Sequence, residues 1–259
     1  MNDNFITYEF PLNERIRVFI RLEQLFIQFE HHTQGKTTAD KRAALIIFFD
    51  IIAIFKRNDL KSETIKEIER HVNILNKIAV TSNENVDTIK LQGILTKLGE
   101  MSQQLYAMNG KVGTHLSEND LFQSIMQRSA IPGGTCSFDL PEFHYWLSQD
   151  EPTRIKDLTL WSQPFTAVFS AIRIILDFIR SSCHVTQEVA QAGFFQLTLD
   201  TSLPNQLIIV TLDRMQPYFV EISGGKHRCA IRFMNPPQNT QRPAQSSENV
   251  SFSLGCCIF

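Results

Sequence analysis

The apolar period of this 259-residue chain changes once, just after Cys183, from about 3.6 residues to 2. A helix buries a stripe at the first spacing, whereas a half-buried strand alternates at the second. The chain is therefore committed to two kinds of layer, helices first and a sheet afterwards. Upstream, Pro11-Leu-Asn-Glu14 opens a helix predicted to run through Phe29, with Ile16, Phe19, Phe26 and Ile27 in helical register. A second, buried helix is predicted over Asp40 to Phe55. Ser62 is read as the cap of a third, carrying Ile65, Ile68, Val72 and Leu75. A fourth runs from about Val86 to Met108, and Ser117-Glu-Asn-Asp120 resembles a capping box before a short helix ending near Arg128. Ile131 to Pro141 reads as a turn and an extended piece, followed by a short helix through His144 and Trp146. Arg154 to Trp161 is helical, and Pro164 suits the first turn of a separate helix ending near Ser181.

Downstream, Phe194 to Asp200, Leu207 to Asp213, Tyr218 to Ser223, Lys226 to Phe233 and Val250 to Ile258 read as strands. The expected fold class is α+β. A mainly helical domain covers 1–182, with 129–150 able to join the sheet, and a smaller antiparallel β-domain covers 183–259. Within it, 235–249 is rich in Pro, Gln, Ser and Asn and reads as a mobile loop.

Composition narrows the function classes. A formal net charge of −2 argues against a dedicated nucleic-acid binder, whose domains tend to be strongly basic. The five cysteines are odd in number and none is spaced for a zinc knuckle. With no signal-like N-terminus, reduced cytosolic thiols are the simplest reading. Ala43 to Phe55 is too short an apolar run to span a bilayer. Twenty Phe against two Trp is unusual and carries no functional signal by itself.

The richest functional segment is Ile222-Ser-Gly-Gly-Lys-His-Arg-Cys-Ala-Ile-Arg-Phe233. Gly224-Gly225 reads as a two-residue hairpin turn with positive φ. Beyond it, Lys226, Arg228 and Arg232 point to one side, and His227, Cys229, Ile231 and Phe233 to the other. Alternate residues on a strand lie about 6.7 Å apart, so this is a rail of fixed cations. Its bland reading is a solvated face that blunts a sheet edge. Arg17 and Arg21 share a helix face with Gln24 and Gln28, by itself a polar stripe but a cleft wall if the sheet packs nearby. Lys56-Arg57 reads most simply as a C-terminal charge pair offsetting the dipole of the second helix.

Catalysis has little support. Cys136, Asp139 and His144 are close in sequence, yet they match no cysteine-hydrolase pattern, and a Cys of this kind is read as a small buried hydrophobe. No phosphate loop, GxSxG elbow or HExxH helix appears, and His31-His32 reads as solvated rather than ligating. Cys256-Cys257-Ile258-Phe259 formally fits a prenylation box, but it completes an alternating strand and reads as buried. No catalytic residue, cofactor or metal is expected.

Five stretches in order resemble the bacterial cell division protein ZapD family. They are Pro11-Leu-Asn-Glu-Arg-Ile-Arg17, Ile131-Pro-Gly-Gly-Thr-Cys-Ser-Phe-Asp-Leu-Pro141, His144-Tyr-Trp-Leu147, Leu176-Asp-Phe-Ile-Arg-Ser181 and Ile222 to Met234. The resemblance implies a helical domain joined to a β-domain in a symmetric homodimer. It implies a non-catalytic factor that binds the flexible C-terminal tail of the tubulin-like protein FtsZ and cross-links FtsZ filaments. Septation in the cytoplasm, at the midcell division ring, would be its setting, with no membrane or nucleic-acid partner. The family's basic site residues map onto Arg17, Arg57, Arg228 and Arg232, with His144 beside the Pro-Gly-Gly motif, and periodicity adds Lys226. The chain departs from the pattern at Cys229, where an aromatic is usual, in a longer 235–249 stretch, and at the added Ile258-Phe259. The competing class is a single-stranded nucleic-acid module, with the strand 226–232 tracking phosphates and Tyr218 or Phe233 stacking on bases.

Overall fold

A computed structural model describes residues 4–81, 88–108, 110–225, 227–237 and 242–259. Its fold is α+β, with seven α-helices among the described residues preceding most of the strands. Two compact units result: Ile20–Ile175, and Met1–Phe19 together with Leu176–Phe259. This division differs from the sequence boundary at 182. The first strand, β1 (Phe5–Pro11), pairs antiparallel with β4 (Asn205–Asp213), so backbone hydrogen bonds draw the N-terminus into the sheet unit. The 129–150 segment falls in the helical unit.

The helices are α1 (Glu14–Gln34), α2 (Thr38–Arg57), α3 (Leu60–Thr81), α4 (Thr88–Ala107), α5 (Asp120–Ser129), α6 (Pro141–Leu147) and α7 (Glu151–Ser181). Val86, the expected start of the fourth, lies outside the described residues. Local chemistry sets several boundaries. A capping box closes the start of α2, where the Asp40 amide donates to Thr37 and Asp40 accepts from the Thr37 amide. The caps of α3 and α5 are Asp59 and Asn119, not the serines the sequence favoured: Asp59 Oδ1 accepts the Ser62 amide and Asn119 Oδ1 accepts the Phe122 amide.

Pro164 does not begin a helix; it sits inside the continuous α7. The carbonyl that loses its donor belongs to Leu160, whose residue is 59% exposed, so water can replace the missing bond. α7 is also the one described helix long and apolar enough to cross a membrane. Phe165, Val168, Ile172 and Ile175 on it are fully buried, as in the core helix of a folded unit.

The phenylalanine excess finds its use in the helical unit. Ring contacts run from Phe29 to Phe48 (5.1 Å), from Phe48 to Phe122 and Phe165, and from Phe122 to Trp161 and on to Trp146. Edge-to-face aromatic pairs each add about 0.5–1.5 kcal/mol beyond the area they bury. A near-continuous aromatic core therefore ties α1, α2, α5, α6 and α7 together.

The sheet unit packs two antiparallel layers. One has strand order β1–β4–β8–β2, with β2 at Cys183–Ala190 and β8 at Val250–Ile258. The other has β3 (Phe194–Thr198), β6 (Arg228–Asn235) and β5 (Phe219–Gly224) in that order, with β7 (Ala244–Gln245) pairing β6. Ile208, Val210, Phe252 and Leu254 of the first layer meet Val220, Ile231 and Phe233 of the second in one core.

Three further expectations are corrected here. The five thiols are not all reduced: Cys183 and Cys257 face each other across β2 and β8, and a disulfide joins them. The 235–249 stretch is not wholly loose. Ala244 and Gln245 pair with β6, the Ser246 amide donates to the Phe233 carbonyl at 2.9 Å, and Tyr218 donates to Glu248 at 2.7 Å. Residues 131–139 form successive turns rather than an extended piece, because the amides of Ile131, Gly134, Cys136 and Asp139 each find a carbonyl three residues back.

Candidate functional site

The exposed side of β6 is the best-formed candidate. Cys229, Ile231 and Phe233 are fully buried, so the strand has no freedom to slip, and alternation then forces Arg228 and Arg232 outward. The two arginines stand roughly 13 Å apart along the strand, four rises of about 3.3 Å, with Ala230 between them. Register places Thr198 beside Arg228, and Phe194 and Glu221 on either side of Arg232. Among the described residues no ion pair or hydrogen bond is formed by either guanidinium, the facing Glu221 included.

Lys226, the expected first member of the rail, lies outside the described residues. His227 is exposed in the loop before β6 and does not face the core. The hairpin also differs in kind from the expected primed turn. Neither Gly224 nor Gly225 has a positive φ, and the Gly225 amide donates to the Arg228 carbonyl at 3.0 Å. Gly224 is needed for closeness instead, since a Cβ there would lie 3.0 Å from both the Arg228 carbonyl oxygen and Cys229 Cα.

Arg17 belongs to the same unit, at the turn from β1 into α1. Asn13 builds that turn: its Oδ1 accepts the Ile16 amide and its Nδ2 donates to Gln206 at 2.7 Å. Arg17 lies over the Phe10 ring at 5.7 Å and pairs with Glu14 at 3.3 Å. Unlike the two β6 arginines, it is already half-engaged. Arg21, Gln24 and Gln28 are exposed, as a polar stripe would be.

Arg57 and His144 belong to the helical unit. Arg57 is exposed at the end of α2, on the rim of a cleft of about 540 Å³. His144 is exposed on α6, next to buried Phe143. The Pro-Gly-Gly motif beside it is a structural device. A Cβ on Gly134 would meet the Arg128 carbonyl oxygen at 2.6 Å, and Arg42 pins the motif by donating to Thr135 Oγ1 at 3.0 Å while covering the Phe143 ring. The structure thus gathers Arg17, Arg228 and Arg232 in one unit and leaves Arg57 and His144 on two elements of the other.

Two other readings lose their footing. Cys136 is exposed, contrary to the buried hydrophobe expected, and among the described residues no side-chain hydrogen bond joins its thiol to His144 or Asp139. Phe233, offered as a base-stacking residue, is fully buried, and the Tyr218 hydroxyl is engaged by Glu248. Among the described residues no three His, Cys, Asp or Glu gather as a metal site would need. Sequence reasoning missed Lys111, which shares the Arg57 cleft; more than fifty residues separate them, and no periodicity links them.

The model of the cell division protein ZapD family matches residues 20–232. The chain belongs to the ZapD family. Cell division protein ZapD of Methylococcus capsulatus is 44% identical over 255 residues, covering 98% of this chain and 99% of its own. Cell division protein ZapD of Azoarcus sp. strain BH72 is 37% identical over 252 residues, 97% and 99% of the two chains. Cell division protein ZapD of Coxiella burnetii strain RSA 493 is 34% identical over 253 residues, 97% of each. Membership of the ZapD family gives this chain a role in cell division, and the names of these relatives carry no catalytic activity.

Proposed function

We propose that this chain binds the flexible C-terminal tail of FtsZ and, as a homodimer, cross-links FtsZ filaments at the midcell division ring. One observation carries the reading: Arg228 and Arg232 are held outward by a fully buried strand face and make no ion pair among the described residues. Guanidinium forks of this kind suit carboxylates and backbone carbonyls of an extended, acidic tail. The rail avoids the cost of breaking internal ion pairs before it can bind. A twofold dimer presents each patch twice, which is what a bridge between two filaments requires. Weak single contacts then add through effective concentration.

Co-sedimentation with FtsZ filaments tests this directly. Intact filaments should carry the protein into the pellet, and filaments of tail-deleted FtsZ should leave it in the supernatant. Equal pelleting with both would refute the tail as the site.

A further inference from the structure

Lys41 and Arg154 are cations in the interior of the helical unit, 0% and 7% exposed, and neither pairs with a carboxylate among the described residues. Cations are seldom buried this far without a counter-charge. Each stands in the first turn of its helix, α2 and α7 respectively, where the helix dipole adds further positive potential. Their partners are main-chain carbonyls at the ends of other helices. Lys41 Nζ donates to the Thr33 carbonyl in the last turn of α1 and, at 2.6 Å, to the Gly35 carbonyl just beyond it. Arg154 Nη1 donates to the Leu147 carbonyl at the end of α6 at 2.9 Å, and Nη2 reaches the Lys36 carbonyl at 3.5 Å. Gly35 lets this turn close, since a Cβ there would collide with the Asp40 carboxyl.

Two polar atoms at the same junction have no protein partner. Arg154 Nε and Thr33 Oγ1 are both enclosed, and neither forms a hydrogen bond among the described residues. Thr33 is 5% exposed, and its own carbonyl holds Lys41. Burial pushes the Lys41 ammonium below its ordinary 10.5, and the Arg154 charge pushes it the same way. Glu151 and Asp40 offset this only in part. Asp40 is occupied at the surface, accepting from the Thr37 amide and hydroxyl with His32 at 3.4 Å. Glu151, half-buried one turn before Arg154, forms no ion pair among the described residues.

We propose that this junction binds a small inorganic anion, held by Arg154 Nε–H and the Thr33 hydroxyl beside the Lys41 ammonium. One anion answers both anomalies, giving the two donors an acceptor and the two cations a counter-charge. A water molecule would satisfy the donors but leave both positive charges uncompensated in a low-dielectric interior, where charge counts most. Enclosure sets the size of the ligand: with Thr33, Lys41 and Arg154 all at least nine-tenths buried, a halide fits the setting and an organic acid does not. Once bound, the anion ties the turn between α1 and α2 to the start of α7. The site shares no residue with the tail-binding reading and is tested apart from it.

Chloride is the probe. Thermal unfolding of the full-length protein is followed at constant ionic strength while sodium gluconate is replaced stepwise by sodium chloride. The midpoint should rise by about 3 °C, because a ligand of the native state stabilises it in proportion to the logarithm of its concentration above the dissociation constant. Thr33→Val keeps the side-chain shape and removes the hydroxyl, so it should lose most of that shift, whereas Thr33→Ser should keep it. If no anion binds, Thr33→Val only removes an orphaned hydroxyl, and its midpoint should move by the same amount in both salts. Crystals soaked in sodium bromide should show an anomalous peak at Arg154 Nε and Thr33 Oγ1. Equal wild-type midpoints in the two salts would overturn the proposal. So would a chloride shift that survives intact in Thr33→Val, or a water at the junction with no anomalous signal.

Discussion

Arg180, near the end of α7, grips Glu9 of β1 with two parallel bonds, Nε to Oε1 at 2.7 Å and Nη2 to Oε2 at 3.0 Å. The side chains are 27% and 21% exposed, so water screens the pair only in part. Arg180→Ala should therefore cost about 2 kcal/mol, above the range of a fully exposed pair, because it strands a half-buried carboxylate. Arg180→Lys should recover only part of the loss, since an ammonium cannot reproduce the fork. Urea denaturation of the three proteins measures both differences.

Charge reversal at Arg228 or Arg232 should lower affinity for the FtsZ tail by roughly 10- to 100-fold without changing the thermal midpoint appreciably. Both side chains are exposed and their removal opens no cavity. Added salt should weaken the wild-type complex progressively, as solvent-exposed charge pairs are screened. Either variant bundling filaments as well as wild type at moderate salt would remove the rail from the site.

Thiol labelling should sort the cysteines by environment. Exposed Cys136 should react at once in the folded protein. Burial pushes the Cys229 thiol up to about 11, and burial also raises that of half-buried Cys256. Cys229 should thus label only on unfolding, with Cys256 reacting slowly. Cys183 and Cys257 should label only after reduction. Quantitative labelling with and without reductant, followed by peptide mapping, reads all five positions.

His71 predicts an acid limb of stability. It is fully buried in α3, and its Nδ1–H donates to the Glu67 carbonyl at 2.8 Å. Burial lowers its pKa below the ordinary 6.5, outweighing the nearby Glu67 carboxylate. The unfolded chain then binds the proton more readily, so the contribution is intact above pH 6.5 and is lost as pH falls from there toward the folded value. Chemical denaturation across that window should show wild type losing up to about 1.4 kcal/mol per pH unit more than His71→Gln. Parallel slopes for the two proteins would remove His71 from the account.

The exposed face of β6 was legible in sequence because alternation there is strict: Cys229, Ile231 and Phe233 can only be buried together. β2 was illegible for the opposite reason. Its valines, Val185 and Val189, are 59% and 45% exposed, while the small Ala190 faces the core. β1 alternates well enough to have been read, with Tyr8 and Phe10 turned to the core, but its partner lies far down the chain. Pro164 misled because a proline rule describes local backbone and says nothing of whether Leu160 is wet. The disulfide depends on β2 and β8 register, and the Arg57 cleft on packing between helices. Neither is written in any local spacing.

The pairing of β1 with β4 has a kinetic consequence during synthesis. Phe5 meets Asp213, so a ribosome must add some two hundred residues before the first strand can find its neighbour. At about 5–20 residues per second that wait lasts roughly 10–40 seconds. The helical unit is contiguous in the chain and can mature first, as an autonomous nucleus emerging from the exit tunnel. Meanwhile Tyr8 and Phe10 travel uncovered, and β1 stays an unpaired edge open to wrong partners until β4 arrives.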